Sequence, residues 1–235
     1  MTLRQRLRTL KFQGRAAFIR RFRCYDAARF AQAIVALGVQ PHDTLMVHGS
    51  FHALSGFDGR PVEMLGALQR AVGDEGLLVM PSMTYTDSSR DFLLRGEAMK
   101  QRFSPSRMGL LSETFRRGRN VQRSLSPTHP LLAWGADAVS FVAGHGLTDR
   151  PFGDQSPFRH LLERDAKVLC VDAVPETITF THFLEDGLAP ALPFALYDDT
   201  VLCGVVVDAK GETRRVPTRV LSDESRRRRD ERPLW

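Results

Sequence analysis

The chain has 235 residues, of which 43% are hydrophobic and 26% charged, the size and composition of one large globular domain rather than a fibrous or disordered chain. No stretch approaches the roughly 20 uninterrupted apolar residues of a membrane helix, and no apolar segment follows the basic N-terminus as in a secretory leader. The three widely spaced cysteines, Cys24, Cys170 and Cys203, fit neither a disulfide framework nor a paired zinc site, so a cytoplasmic protein is expected despite its formal charge of +6.

Residues 1–23 hold eight Arg or Lys and no acid, and read as a basic helix or arm. Asp26 is the expected N-cap of the next helix, because Ala27, Phe30, Ala31, Ile34 and Leu37 recur at helical spacing and Gly38 closes it. Residues 44–48 (TLMVH) form a short apolar run, predicted as a buried strand. Pro61 opens a helix to Val72, Gly73 ends it, and residues 76–81 (GLLVMP) are the next strand. Strand, helix and strand make a βαβ unit, hence an α/β fold with a mostly parallel central sheet covered on both faces.

Residues 82–106 read as irregular, 106–117 as helix and 131–134 as strand. Ser156 and Pro157 start a helix through Leu162. Residues 167–171 (KVLCV) follow as a central strand, with Cys170 in the core, and residues 179–187 as a helix. Residues 200–207 and 213–216 flank a turn at 208–211, the pattern of a C-terminal β-hairpin. The chain is expected to be a single domain, 1–235. A second basic run, 226–229, closes the sequence, while residues 24–225 hold 20 basic and 25 acidic residues. The positive excess therefore sits at the ends and on no recognisable motif, which ranks a nucleic-acid-binding role last.

Seven histidines are present, none in zinc spacing; there is no His-Glu-x-x-His and no close cysteine pair, so no metal is expected. The absence of a Gly-x-Ser-x-Gly elbow, a Walker loop and a dinucleotide fingerprint weakens the hydrolase, NTPase and dehydrogenase readings. The richest segment is Thr179-Phe180-Thr181-His182-Phe183-Leu184-Glu185. On a helix, Thr179, His182 and Glu185 lie one turn apart on one face, just past a strand's carboxyl end. An imidazole there can take a proton from an attacking amine while the carboxylate orients it; a surface ion pair is the other reading.

A second constellation is Phe103-Ser104-Pro105-Ser106-Arg107-Met108-Gly109. Ser106 would cap a helix whose first amides, with Arg107 beside them, suit the pyrophosphate of a nucleotide-like cofactor. The loop Arg123-Ser124-Leu125-Ser126-Pro127-Thr128-His129-Pro130 offers fixed donors to a ligand or is only a rigid turn, and Ser50 ends the strand that carries His48.

These segments, in this order, resemble the aminoglycoside 3-N-acetyltransferase family: LGVQPHDTLMVHGSF, DEGLLVMPSMTY, SPSRMGLLSETFRR, RSLSPTHP, GHGLTDRPFGDQSPFRHL, KVLCVD and TITFTHFLED, spanning residues 37–186. The resemblance implies a three-layer α/β/α sandwich and direct transfer of an acetyl group from acetyl-CoA to an amine. It places the catalytic base on His182, its carboxylate on Glu185 and an oxyanion-stabilising group on Thr179. It places coenzyme A binding on Ser50, Ser106, Arg107, Met108, Gly109, Thr128 and His129. Where the family reads His-Ser-Ser this chain has His48-Gly49-Ser50, its glycine-rich turn is here Val171-Asp172-Ala173-Val174, and residues 196–235 diverge. The acceptor is expected to be a small amine, an aminoglycoside or an amino sugar, with the basic ends favouring an anionic amino sugar. A homodimer is compatible, and a catalytically degenerate CoA- or ligand-binding module is the alternative.

Overall fold

The computed structural model describes residues 3–52, 56–174 and 177–228. The basic N-terminal stretch is helix α1 (Leu3–Phe22). Helix α2 (Ala27–Ala36) starts where the Asp26 side chain accepts a hydrogen bond from the Arg29 N–H at 2.8 Å, satisfying one of the amides a helix start leaves unpaired. It closes at Gly38, whose φ of 91° is costly for a residue with a Cβ. Strand β1 (Thr44–Gly49), helix α3 (Pro61–Val72) and strand β2 (Leu77–Pro81) make the expected βαβ unit, β1 and β2 running parallel. Leu45, Met46 and Val47 are wholly buried; a strand covered on both faces needs a continuous apolar run rather than alternation.

Residues 82–106, expected to be irregular, contain helix α4 (Ser89–Leu94) and the short strand β3 (Ala98–Lys100). Helix α5 (Leu110–Arg116), strands β4 (Gln122–Arg123) and β5 (Leu131–Gly135), helices α6 (Ala138–Val142) and α7 (Pro157–Glu163), strand β6 (Lys167–Val171) and helix α8 (Thr181–Leu188) follow. The five-stranded sheet has the order β4-β5-β2-β1-β6.

Two expectations about this sheet are corrected. β1 is parallel to β2 and β6, but β5 is antiparallel to both β2 and β4, so the sheet is mixed rather than mostly parallel. An apolar run marks a strand without giving its direction; the loop at 124–130 is too short for the crossover that a parallel β4–β5 pair would require. Residues 167–171 are not central either. β6 is the edge of the sheet, with Lys167 drawn out to Asp43 at 2.7 Å, and Cys170 is consequently half-buried rather than in the core.

The hairpin forms as expected, strands β7 (Leu202–Val207) and β8 (Thr213–Thr218) meeting at a turn where Gly211 has φ 90°. β3 adds to β7 in parallel and completes a separate three-stranded sheet. Helix α9 (Asp223–Arg228) follows. Among the described residues no helix is long and apolar enough to cross a membrane.

Helices cover both faces of the larger sheet. On one face α2, α3 and α5 bury Ile34, Leu68 and Phe115 against Leu45, Val47 and Leu78; on the other α6, α7 and α8 bury Phe141, Phe158 and Phe183 against Met46 and Val79. Each such side chain contributes about 1.5–3 kcal/mol relative to exposure. Because β1 and β6 are parallel, with His48 opposite Cys170 and Gly49 opposite Val171, their carboxyl ends open at the same edge of the sheet.

Candidate active site

At that edge the two strand ends are tied together. The Ser50 N–H donates to the Val171 carbonyl at 3.0 Å, and the Ser50 hydroxyl donates to the Asp172 carbonyl at 2.9 Å. Beyond them lies a cavity of about 600 Å³, with Ser50, Arg107, Met108, Thr179 and His182 among its walls. Such a position, outside the carboxyl ends of parallel strands, is where ligands collect in α/β sheets. Five of the residues singled out from the sequence therefore meet at one space.

His182 sits in the first turn of α8. Its Nδ1 lies 3.1 Å from Glu185 Oε2, the one-turn spacing expected. A carboxylate can only accept, so Nδ1 carries a proton; in the neutral ring that leaves the lone pair on Nε2, the state a proton acceptor needs. The His182 side chain is 18% exposed, half sheltered by rings: the Phe152 ring centre is 5.1 Å away and that of His129 6.2 Å. Glu185 stands behind the imidazole rather than in the cavity wall, and Thr179 is buried there beside His182, whose N–H donates to the Thr179 carbonyl at 3.3 Å.

The segment 104–109 departs from expectation. Ser106 does not cap a helix: α5 starts at Leu110, with Gly109 in the cap position at φ 107°. Ser106 is buried, its N–H donating to Glu113 Oε2 at 2.7 Å and its hydroxyl 2.9 Å from that of Ser112. Glycine is required at 109 because residues with a Cβ rarely adopt that φ. Ser106 and Gly109 therefore build the wall that Arg107 and Met108 form. Thr128 and His129 lie outside the cavity's lining; Thr128 is buried, its hydroxyl 3.0 Å from His129 Nδ1, and His129 flanks His182.

Three cavity residues were not among those expected from the sequence to react or to hold the cofactor. His48 is 4% exposed, lines the cavity, and its Nε2 has no hydrogen-bond partner among the described residues; burial lowers its pKa to about 4, so the ring is neutral. Asp172 is the one acidic side chain among the described lining residues, as Arg107 is the one cationic. Gly49 is explained by packing: a Cβ there would stand 2.6 Å from Leu111 Cδ2, so α5 fills the space a serine would need. Phe152, against His182 and His129, is also new. Only its place within a segment carrying the resemblance hinted at it, since an aromatic in a loop has no periodicity to read.

Comparison with known proteins gives the family and the fold. The family model described as aminoglycoside 3-N-acetyltransferase matches residues 46–231. Aminoglycoside N(3)-acetyltransferase VII of Streptomyces paromomycinus is 30% identical over 188 residues, covering 74% of this chain and 65% of that protein. The match therefore spans less than two thirds of that relative's length. Among solved structures, AAC-IIIb in a binary complex with CoASH superposes with a TM-score of 0.70 at 25% identity, covering 85% of this chain and 76% of the other. Aminoglycoside acetyltransferase AAC(3)-IVa in complex with gentamicin gives 0.67 at 26% identity, covering 85% and 71%.

Proposed function

The chain belongs to the aminoglycoside 3-N-acetyltransferase family, and from that premise we propose that it transfers an acetyl group from acetyl-CoA to an amino group of an aminoglycoside-type acceptor. The observation that carries this reading is the His182–Glu185 pair, 3.1 Å apart, at the rim of the cavity where β1 and β6 end. The names of the relatives favour an aminoglycoside over the anionic amino sugar that the basic chain ends suggested.

The cavity suits coenzyme A. Its walls are mainly apolar, as a pantetheine arm requires, and Arg107 supplies one positive charge for an anionic end. The buried, unpartnered Nε2 of His48 leaves one polar contact for a ligand to satisfy. Ser50, Arg107 and Met108 would hold the cofactor, on a wall built by Ser106 and Gly109. When bound, acetyl-CoA supplies the activated acetyl group.

The protein's own part is proton management and placement. Glu185 fixes the imidazole and stabilises its charged form, so His182 Nε2 accepts the proton of the attacking amine. Thr179 adjoins the same point with a hydroxyl and a backbone amide that can stabilise negative charge developing on the acetyl oxygen. Thr128, His129 and Phe152 support the ring from the other side. No covalent enzyme intermediate is needed: the amine attacks directly, and Cys170, whose thiol is pushed up in pKa by burial, is poorly suited to be a nucleophile.

The test is two measurements on the purified chain. Calorimetric titration should show saturable coenzyme A binding, and acetyl-CoA with a gentamicin-type acceptor should release free thiol as the amine is acetylated. Cofactor binding without turnover on any aminoglycoside or amino sugar would leave the degenerate binding module; absence of both would overturn the reading.

A further inference from the structure

Arg107 reaches the cavity from a segment, residues 101–109, that has no regular structure, so something else must fix it. Three contacts hold the segment from behind. The Arg107 N–H donates to the Met83 carbonyl at 2.7 Å, joining two cavity walls. Ser112 commits its hydroxyl proton to the Pro81 carbonyl at 2.6 Å, so Ser106 is the donor in the 2.9 Å contact between the two hydroxyls. Glu113 accepts from the Ser106 N–H at 2.7 Å while paired with Arg116 at 2.8 Å and Arg117 at 2.7 Å.

Behind all of these lies Arg123, on β4, whose residue is 4% exposed. One arm of its guanidinium donates to the Ser104 carbonyl at 2.6 Å and the other to the Ser82 carbonyl. Those carbonyls belong to the segments that end in Arg107 and Met83. Burying a guanidinium against two neutral carbonyls is costly, and an apolar side chain of similar volume would often serve stability as well. What an apolar residue cannot do is span two carbonyls with a rigid planar fork.

We infer that Arg123 is a positioning residue for the cofactor site: it clamps segments 82–83 and 104–107 together so that Arg107 is presented to the anionic part of the ligand. The inference rests on the coenzyme A reading above. Arg123 touches no ligand; its influence passes through Arg107.

A double-mutant cycle tests this with coenzyme A as the probe, titrated calorimetrically into the wild-type chain, Arg107→Ala, Arg123→Met and the double variant. Arg123→Met should weaken binding about tenfold and raise the acetyl-CoA KM to match, while kcat at saturating cofactor stays within twofold. In the double variant the loss should be no greater than for Arg107→Ala alone, because the clamp then has nothing to position. Losses that multiply, or wild-type affinity in Arg123→Met, would overturn the inference. Should Arg123→Met fail to fold, Arg123→Lys serves in the same cycle, since it keeps the charge but reaches only one carbonyl. Wild-type protein that binds no coenzyme A sinks the functional reading itself, which is a different result.

Discussion

Two of the histidines that face a hydrogen-bonding side chain, His145 and His182, make an instructive contrast, and only one of them is arranged for chemistry. In the interior, His145 Nδ1 accepts a hydrogen bond from the Ser124 hydroxyl at 2.8 Å and its Nε2–H donates to the Pro151 carbonyl at 2.9 Å. At the cavity rim, His182 Nδ1–H donates a hydrogen bond to Glu185. On paper the first pair looks like a nucleophile with its base. Ser124, however, also accepts the Leu131 N–H at 2.9 Å, both ring nitrogens of His145 are committed, and burial holds its pKa down at about 4. A serine beside a histidine is therefore no sign of reactivity; what separates the two regions is access and a partner that can stabilise the charged ring.

The largest effect is expected at the rim. His182→Ala should lower turnover by roughly 10²–10⁴-fold with little change in melting temperature, since a general base contributes about that much and the side chain is partly exposed. Turnover that survives would remove His182 from its role. The interior histidine should behave in the opposite way. His145→Ala strands Ser124 and the Pro151 carbonyl in a dry site, at a cost of about 3 kcal/mol, or a Tm roughly 6–12 °C lower, while activity per folded molecule is kept. Loss of activity at unchanged stability would break the comparison.

Acid gives a second stability test. His145 and His48 both titrate near 4 when folded, below the usual histidine value of 6.5. The unfolded chain then binds protons first, so their contribution is complete above about pH 6.5 and is lost as pH falls towards 4, by up to about 3 kcal/mol each. Denaturant midpoints between pH 7 and 4.5 should fall accordingly, and His145→Asn should flatten the slope. Glu113, held at about 2 chiefly by its hydrogen bond to Arg116, gives up its own share only as pH drops below about 4.5. A flat profile from pH 7 to 4.5 would mean that the two rings are not buried neutral.

Glu185→Gln should cost no more in kcat than loss of the base itself, since the amide oxygen can still accept from Nδ1–H but the group no longer stabilises the imidazolium, and its NH2 can select the wrong tautomer. The substitution also separates orientation from charge. A pH–rate profile that keeps its acid limb unmoved would show that the carboxylate only holds the ring in place.

How far these regions could be read from sequence follows from what local pattern encodes. Asp26 and Gly38, or Pro61 and Gly73, bracket helices with their own chemistry, and both helices lie where that chemistry puts them. His182 and Glu185 were legible because one helical turn brings them together; Thr179, expected on the same helix, lies instead in the turn that precedes α8. Strand direction was not: the antiparallel β5 and the edge position of β6 depend on partners distant in sequence. The three-residue strand β3 was missed because it is defined by its pairing with β7, not by its own residues. Ser106 looked like a helix cap by composition, yet its hydroxyl and amide are used in a tertiary network of Glu113 and Ser112 that no local rule contains.

A third histidine sharpens the comparison at the smallest scale. His52 Nε2 lies 3.2 Å from Asp172 Oδ2, a contact much like that of His182 with Glu185, but the aspartate lines the cavity and both groups are well exposed. If a carboxylate contact alone conferred catalysis, His52→Ala should impair turnover; it is expected to leave kcat unchanged. The effect of this pair should instead appear in binding, because Asp172 places a negative charge where an anionic cofactor enters. Its backbone sits at φ 55°, a conformation asparagine tolerates as readily, so Asp172→Asn changes charge with little else. Two unit charges some 10 Å apart in a water-like medium repel by about 0.4 kcal/mol, roughly twofold in affinity, and coenzyme A carries several. Asp172→Asn should therefore tighten coenzyme A binding about two- to fivefold at low ionic strength, with the gain shrinking as salt rises. Weaker binding would mean that the carboxylate accepts a hydrogen bond from the ligand, and the rim would then hold two working carboxylates rather than one.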